Sequence, residues 1–216
     1  MKNNIFENYF VLGFFYKKDD YILRRYLEII RKNNNIYEND LCVIMMNPGK
    51  SLPKNYDENN PNQYLNKFVE ANSDETIKQI IRIMEKEEYN YAKIINLSDI
   101  RVTSSKEFYN MLKVELKNYD HSIFSENNKK NIENYLNHNS LFIFAWGVDK
   151  KLLYLSKTAI NVLKNLYGEN IKIIGKKHSK NNYGYYHPLP RNNEERVKWV
   201  NDIVNMIQKK MYVKLS

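Results

Sequence analysis

The sequence predicts a single α/β domain built on a mostly parallel sheet. Its 216 residues suffice for one compact domain, and 43% hydrophobic with 27% charged residues is a globular balance. Short apolar runs alternate with longer segments of helical periodicity, which is typical of strands joined by crossover helices. The sequence shows no internal repeat and no change of composition that would mark a second domain.

Four short apolar runs predict the strands of this sheet, because each run is too short for a buried helix. The first is followed by the turn signal Asn47-Pro48-Gly49, and the third by Trp146-Gly147. The predicted strands cover residues 41–46, 92–97, 141–145 and 171–174.

Six segments are predicted as helices, most of them from apolar residues spaced three and four apart. Ser73 is the predicted N-cap of the second, and the fifth is expected to stop at Gly168. Residues 1–216 then form one domain, in which an N-terminal helical extension of residues 1–40 packs on a core of residues 41–210. The predicted helices cover residues 21–33, 73–88, 103–117, 126–138, 148–167 and 193–210.

The chain is basic, with 34 Lys and Arg against 25 Asp and Glu and a formal charge of +9. A basic excess of this size fits a polyanionic partner, most often nucleic acid. The chain is also rich in Lys, Asn, Ile and Tyr, which AT-rich codons favour, so genome composition is a second explanation. Both explanations stay open at this point.

Several classes of protein are excluded by what the sequence lacks. A single cysteine, Cys42, excludes an intramolecular disulfide framework. The chain has no Walker-A, GxGxxG, HExxH or GxSxG motif, so we expect no cofactor. No apolar run approaches the ~20 residues that span a bilayer, and no signal-peptide core is present, so we expect a cytoplasmic protein without a membrane partner. We also expect a monomer. The histidines have no metal-ligand spacing, and we expect no metal; they are His121, His138, His178 and His187.

Distinctive residues follow the predicted strands. The carboxyl ends of parallel strands meet at one rim of a sheet, and ligands bind at that rim, so we expect these residues to come together. The last two follow a strand and a loop rather than a strand alone. The residues are Asn47, Pro48, Gly49, Asn96, Asp99, Arg101, Trp146, Gly147, His187 and Pro188.

Each of these strand-end residues has a structural interpretation beside the functional one. Asn47 either caps its own turn or orients a water or a substrate carbonyl. His187, in a proline-stiffened basic loop, either makes a structural hydrogen bond or donates to a ligand. Asp99 and Arg101 either pair with each other or face the site. Trp146 belongs either to the core or to the site.

Four blocks in this order resemble a bacterial and phage family of unassigned role, domain-of-unknown-function family 1643. The blocks are residues 45–49 (MMNPG), 95–97 (INL), 145–147 (AWG) and 187–189 (HPL). The resemblance covers roughly residues 41–191, and this chain has glycine at position 49 where that family usually has serine. The phage distribution of the family implies a role in phage–host conflict.

More distantly, the same blocks are similar to the uracil-DNA glycosylase superfamily. Residues 47–49 (Asn-Pro-Gly) resemble the first motif of its mismatch-specific and thymine-DNA branch. Residues 187–190 (His-Pro-Leu-Pro) resemble the second motif of the classical branch, with leucine in place of serine. The resemblance implies a three-layer α/β/α fold with a central four-stranded sheet, a glycosylase-like core, and a base pocket between the two loops.

The resemblance also implies roles on DNA. A nucleotide is turned out of the duplex, Asn47 positions the water, and His187 donates to the departing base. Arg191 is expected to fill the gap in the duplex or hold the backbone. The expected substrate contacts are Pro48, Gly49, Tyr56, Asn96, Asp99, Arg101, Trp146 and Gly147. The expected DNA contacts are Lys50, Ser51, Lys176, Lys177, Lys180, Pro188, Leu189 and Arg191.

Two departures from the glycosylase motifs keep other functions open. No aspartate stands beside Asn47 to activate the water, and Leu189 replaces the serine expected on a DNA phosphate. The alternative is therefore a non-catalytic nucleic-acid or nucleotide binder on the same fold. A deep pocket with little basic surface around it would favour a small-molecule N-glycosidase or a nucleotide hydrolase. A basic surface that reflects codon usage alone fits a plain interaction protein.

Overall fold

One mixed sheet of seven strands organises the chain, where the sequence predicts four strands. The computed structural model describes residues 4–33, 40–117, 119–128, 132–133, 135–136, 140–168 and 171–214. The strands of the sheet are β1 (Tyr9–Lys18), β2 (Tyr21–Arg31), β3 (Leu41–Met45), β4 (Phe68–Glu70), β5 (Tyr91–Asn96), β6 (Leu141–Phe144) and β7 (Ile173–Ile174). Their order is β4-β1-β2-β5-β3-β6-β7, and a separate hairpin joins β8 (Lys177–His178) to β9 (Asn181–Tyr185).

The four strands that the sequence predicts form the parallel half of this sheet. Strands β5, β3, β6 and β7 are neighbours in that order, and all their pairings are parallel. Strand β3 lies between β5 and β6, and all five of its residues are buried. Its carboxyl end therefore opens at the middle of the parallel rim, which is where ligands bind in such sheets.

The predicted N-terminal helical extension is wrong, because the described residues there are mainly strands. The region predicted as helix 21–33 is β2, which pairs antiparallel with β1 and with β5. These pairings, with that of β4 on β1, make the sheet mixed rather than mostly parallel. Strand β2 lies between two other strands, and its buried residues fall on both faces. Its apolar residues therefore do not alternate, and their spacing imitates a helix.

Four of the predicted helices are present, with shorter bounds. They are α1 (Glu75–Lys86), α2 (Ser105–Met111), α3 (Leu153–Tyr167) and α4 (Asn193–Gln208). Helix α3 ends at Gly168 as expected, but the N-cap of α1 is Asp74 and not Ser73. The described part of residues 126–138 forms turns and 3₁₀ structure instead of an α-helix, and His138 lies outside the described residues.

The core divides into two clusters of buried side chains on opposite faces of the sheet. Alternate β3 residues enter different clusters, because successive side chains of a strand point to opposite faces. One cluster takes in α1 and α4, and the other takes in α2 and α3. Within the described residues, the helices are too short or too polar to cross a membrane.

Candidate functional site

A cavity of about 780 Å³ opens at the carboxyl end of β3. Its walls come from β2, the loop after β3, the start of α1 and the loop after β9. The volume lies in the range of small-molecule sites. The structure thus brings the Asn47 and His187 loops to one cavity. Of the candidate residues from the sequence, the lining includes Asn47, Pro48, Gly49, Lys50, Ser51, His187 and Leu189.

Asn47 holds two strand-end loops together while it lines the cavity. Its Nδ2 donates to the carbonyl oxygens of Val102 at 2.6 Å and Ile100 at 3.3 Å. The amide nitrogen is therefore occupied, and the amide oxygen is the atom left to act on a ligand. Gly49, two residues later, has φ +61°, a left-handed conformation that favours glycine, which explains why the turn ends in glycine.

His187 is a neutral hydrogen-bond donor in the wall of the same cavity. Burial lowers the pKa of His187 to about 4, although the nearby Asp74 carboxylate acts to raise it. Its Nδ1 accepts the backbone N–H of Leu189 at 3.1 Å. A neutral imidazole with Nδ1 accepting carries its hydrogen on Nε2, so Nε2 is the atom that can donate to a ligand.

Asp74 supplies a carboxylate that the sequence analysis missed. Its side chain caps α1 by accepting the Ile77 N–H at 2.9 Å, and the residue lines the cavity. Its charge acts on both His187 and Arg24. The signal was ambiguous, because Ser73 and Asp74 are both good N-cap residues at adjacent positions. The cavity therefore contains an acid, although none stands beside Asn47 in the sequence.

Arg24 is the second missed residue, because position 24 fell in a segment predicted as a helix. Strand β2 carries it into the cavity lining, where it is only 3% exposed. Burial lowers the pKa of Arg24 to about 10, and Asp74 acts to raise it, so the guanidinium is cationic at neutral pH. Its Nε has no hydrogen-bond partner among the described residues.

Asp99 and Arg101 do not pair with each other. Asp99 forms an ion pair with Arg25 Nη1 at 2.8 Å and accepts the Tyr16 hydroxyl at 2.8 Å. Burial raises the pKa of Asp99 to about 7, against the opposing effect of Arg25. Arg101 instead donates from Nε to the Ser51 carbonyl oxygen at 2.6 Å. Asp99 and Arg101 lie outside the cavity lining, although Arg101 supports one of its loops.

Trp146 is a core residue. It is fully buried, packs on Phe144 with ring centroids 4.4 Å apart, and contacts Tyr185 edge to face. Its Nε1 donates to the Tyr183 carbonyl oxygen at 2.7 Å. The adjacent Gly147 forms a backbone bridge to the Tyr185 strand. Both residues stabilise the β8–β9 hairpin rather than line the cavity.

Asn96 and Tyr56 are also outside the lining. Asn96 is fully buried at the end of β5, and its amide atoms have no hydrogen-bond partner among the described residues. Tyr56 lies in the loop after β3, and its ring centroid is 5.3 Å from that of Tyr64. Tyr56 therefore packs within its own loop.

Of the basic residues expected on DNA, Lys50 lines the cavity and the others do not. Lys176 is paired with Asp202 on α4, with Nζ 2.6 Å from the carboxylate. Lys177 and Lys180 are exposed on the β8–β9 hairpin, and Arg191 is exposed before α4. Pro188 is buried, and its carbonyl oxygen accepts the Gln79 side chain at 3.1 Å.

The cavity offers hydrogen-bonding groups rather than metal ligands. Across the described part of the chain, no three His, Cys, Asp or Glu side chains are grouped so that they would bind a metal ion. The available groups are the Arg24 guanidinium, the Asp74 carboxylate, the Asn47 amide oxygen and His187 Nε2. Such a set can hold a polar organic ligand by donors and acceptors together.

Comparison with known proteins places the chain in a family. The family model described as "Protein of unknown function (DUF1643)" matches residues 21–189. Searches of curated proteins and of solved structures found no match. The matched region begins with β2 and ends at Leu189, so it contains the cavity walls from Arg24 to the His187 loop. The chain therefore belongs to the family Protein of unknown function (DUF1643).

Proposed function

We propose that the protein is a DNA glycosylase-like enzyme that binds a nucleobase in this cavity and cleaves its N-glycosidic bond. The observation that carries the proposal is that Asn47 and His187, far apart in the sequence, line one cavity at the parallel rim. Helices on both faces of the sheet support the three-layer, glycosylase-like fold that the resemblance implies.

The lining fits a flat, polar ring. Met46, Leu52 and Leu189 offer apolar surface for the ring faces. The Nε2–H of His187 donates to an exocyclic carbonyl oxygen of the base, and the amide oxygen of Asn47 accepts from a ring N–H or from the attacking water. Nucleobases carry donors and acceptors on the same edge, which matches this mixed set.

In the proposed reaction, these groups hydrolyse the N-glycosidic bond. The bond between C1′ and the base nitrogen breaks, its electron pair leaves with the base, and the sugar gains oxocarbenium character. Hydrogen bonding from the neutral His187 stabilises the negative charge that develops on the base. Water adds to C1′ and transfers its proton to the carboxylate of Asp74, which lines the cavity.

A second candidate is a nucleotide binder without catalysis. Two observations favour it. The amide nitrogen of Asn47 is committed to backbone carbonyls, and three of the four lysines expected on DNA lie outside the lining. A binder of this kind would hold its ligand without forming a product.

An abasic-site assay tests the proposal. The protein is incubated with DNA that contains uracil, mismatched thymine, oxidised or alkylated bases, or phage hypermodified bases, and aldehyde-reactive groups are measured. We expect product with the wild type, and at least about a hundredfold less with His187→Ala or Asp74→Asn. Lys198→Gln, which changes an exposed charge on α4, is the matched control. If no DNA gives a product and nucleotide binding is retained, the protein is the non-catalytic nucleotide binder and not a glycosylase.

A further inference from the structure

Arg24 is a buried cation, and the Asp74 carboxylate acts on its charge without forming an ion pair with it among the described contacts. Arg24 is 3% exposed, and its Nε has no hydrogen-bond partner within the described part of the molecule. No ion pair joins it to a described acidic residue, in contrast to its neighbour Arg25, which is 2.8 Å from Asp99. A buried charge without a close ion-pair partner is unfavourable, so the place of Arg24 in a cavity wall points to a ligand that pairs with it.

Ser51 is a second buried group of the same cavity that lacks a partner. Its Oγ is buried and has no hydrogen-bond partner among the described atoms, and the residue lines the cavity. Its carbonyl oxygen accepts Arg101 Nε at 2.6 Å, which fixes the backbone of this residue. Buried polar groups are nearly always hydrogen-bonded in folded proteins. Two such groups in one cavity are explained together by a ligand oxygen.

The charges around the cavity favour an anionic ligand. Repulsion from the Arg101 cation acts to lower the pKa of Arg24, and Lys50 adds a further cation to the lining. The lining contains two acids. Glu75 is paired with Lys78, one turn further along α1, whose Nζ lies 2.6 Å from its carboxylate. Asp74 is the remaining acid, and one of its oxygens is occupied by the α1 cap.

We propose that Arg24 and Ser51 form a subsite for the phosphate monoester of the ligand. The planar guanidinium matches two phosphate oxygens, and the serine hydroxyl donates to a third. A phosphate inside a continuous strand needs an exit on both sides, whereas Arg24 is nearly enclosed, so a terminal phosphate fits. This inference rests on the proposed function, because the same cavity holds the base, and it assigns the substrate class as a mononucleotide or a 5′-phosphorylated strand end.

Calorimetric titration tests this subsite. The probes are the four deoxynucleoside 5′-monophosphates, the matching nucleosides, inorganic phosphate, and one oligonucleotide with and without a 5′-phosphate. For the base that binds, we expect the monophosphate to bind at least about tenfold more tightly than its nucleoside. Equal affinity of the two overturns the proposal. The two oligonucleotides show whether the phosphate arrives on a free nucleotide or on a strand end.

Three variants and one control locate the effect. We expect Arg24→Gln to abolish the preference for the monophosphate, and Arg24→Lys and Ser51→Ala to reduce it several-fold. Lys198→Gln removes an exposed charge and is expected to keep it. If Arg24→Gln fails to fold by circular dichroism, the two milder changes decide. The proposal is overturned if Arg24→Lys and Ser51→Ala both keep the full preference for the monophosphate. It is also overturned if Lys198→Gln loses as much of that preference as they do.

The two proposals fail in different ways. Phosphate-dependent binding without release of a base from any probe removes the glycosylase function and keeps the subsite. Release of a base from DNA without a 5′-phosphate, with no preference for monophosphates, keeps the function and removes the subsite.

Discussion

The side chain of Asn47 fastens the loop after β3 to the loop after β5, because its Nδ2 donates to the Val102 carbonyl oxygen at 2.6 Å. This residue therefore stabilises the rim besides lining the cavity. We expect Asn47→Ala to lower the free energy of unfolding by about 1–3 kcal/mol. Asn47→Asp, which retains the shape but cannot donate, is expected to be at least as destabilising. Urea denaturation measures both.

The control for Asn47 is Asn182→Ala, an exposed asparagine on β9. We expect its urea denaturation midpoint to stay close to that of the wild type, because surface substitutions change stability little. Equal midpoints for Asn47→Ala and Asn182→Ala would contradict the fastening role.

Gln79 positions the His187 loop. It is buried on α1, and its Nε2 donates to the carbonyl oxygens of Pro188 at 3.1 Å and Arg196 at 3.0 Å. We expect Gln79→Ala to cost about 1–3 kcal/mol of stability and to weaken ligand binding, because two carbonyls lose their donor. The measurement is thermal unfolding with and without ligand.

An exposed glutamine on α4 serves as the comparison for Gln79. Gln208→Ala loses a surface hydrogen bond to Glu87, so little change in stability or affinity is expected. If Gln79→Ala also binds like the wild type, the His187 loop keeps its position without this contact.

Asp99 and His187 should give opposite contributions to the pH dependence of stability. The folded pKa of Asp99 is raised from 3.8 to about 7, so its stabilising effect is present at low pH and is lost as pH rises from 4 to 7. The folded pKa of His187 is lowered from 6.5 to about 4, so stability is gained as pH rises from 4 to 6.5.

Denaturation at several pH values separates the two effects. Relative to the wild type, Asp99→Asn is expected to gain stability as pH rises from 4 to 6.5, because only the histidine contribution remains. His187→Ala is expected to lose stability over the same range. Difference profiles with the same sign for both variants would show that one of these side chains does not titrate as assigned.

The structure also predicts that Trp146 contributes to stability and not to binding. Trp146→Phe removes the donor to the Tyr183 carbonyl oxygen and part of the packing on Phe144, so a loss of about 1–3 kcal/mol is expected. Nucleotide affinity should be unchanged in calorimetry. If Trp146→Phe binds nucleotide more weakly while its stability equals that of the wild type, Trp146 contributes to the binding site after all.

The parallel half of the sheet was predictable, whereas the antiparallel half was not. Strands β3, β5 and β6 are short apolar runs, and turn signals follow β3 and β6, so run length and turn residues identify them. Strand β2 is covered on both sides by neighbouring strands, and burial on both faces removed the alternation that identifies a strand.

The candidate site shows the same division. Asn47 follows a strand, His187 follows a strand and a loop, and both carry motif neighbours, so position and motif together selected them. Arg24 was missed because its strand was interpreted as a helix, and Asp74 because two adjacent residues could cap α1. Trp146 was ambiguous, since only three-dimensional packing distinguishes a core indole from a stacking one.

The place of Arg24 on β2 has a consequence for folding kinetics. Strand β2 pairs with β5, and these two strands are far apart in the sequence. The segment between them includes β3, the loop after it and α1. Pairings between segments distant in the sequence form slowly, because the intervening chain must first be ordered. We therefore expect the cavity wall to be completed late, when the β1–β2 hairpin docks on the parallel half of the sheet. During refolding, ligand binding should appear after helical signal has recovered, which makes it a probe of the last assembly step.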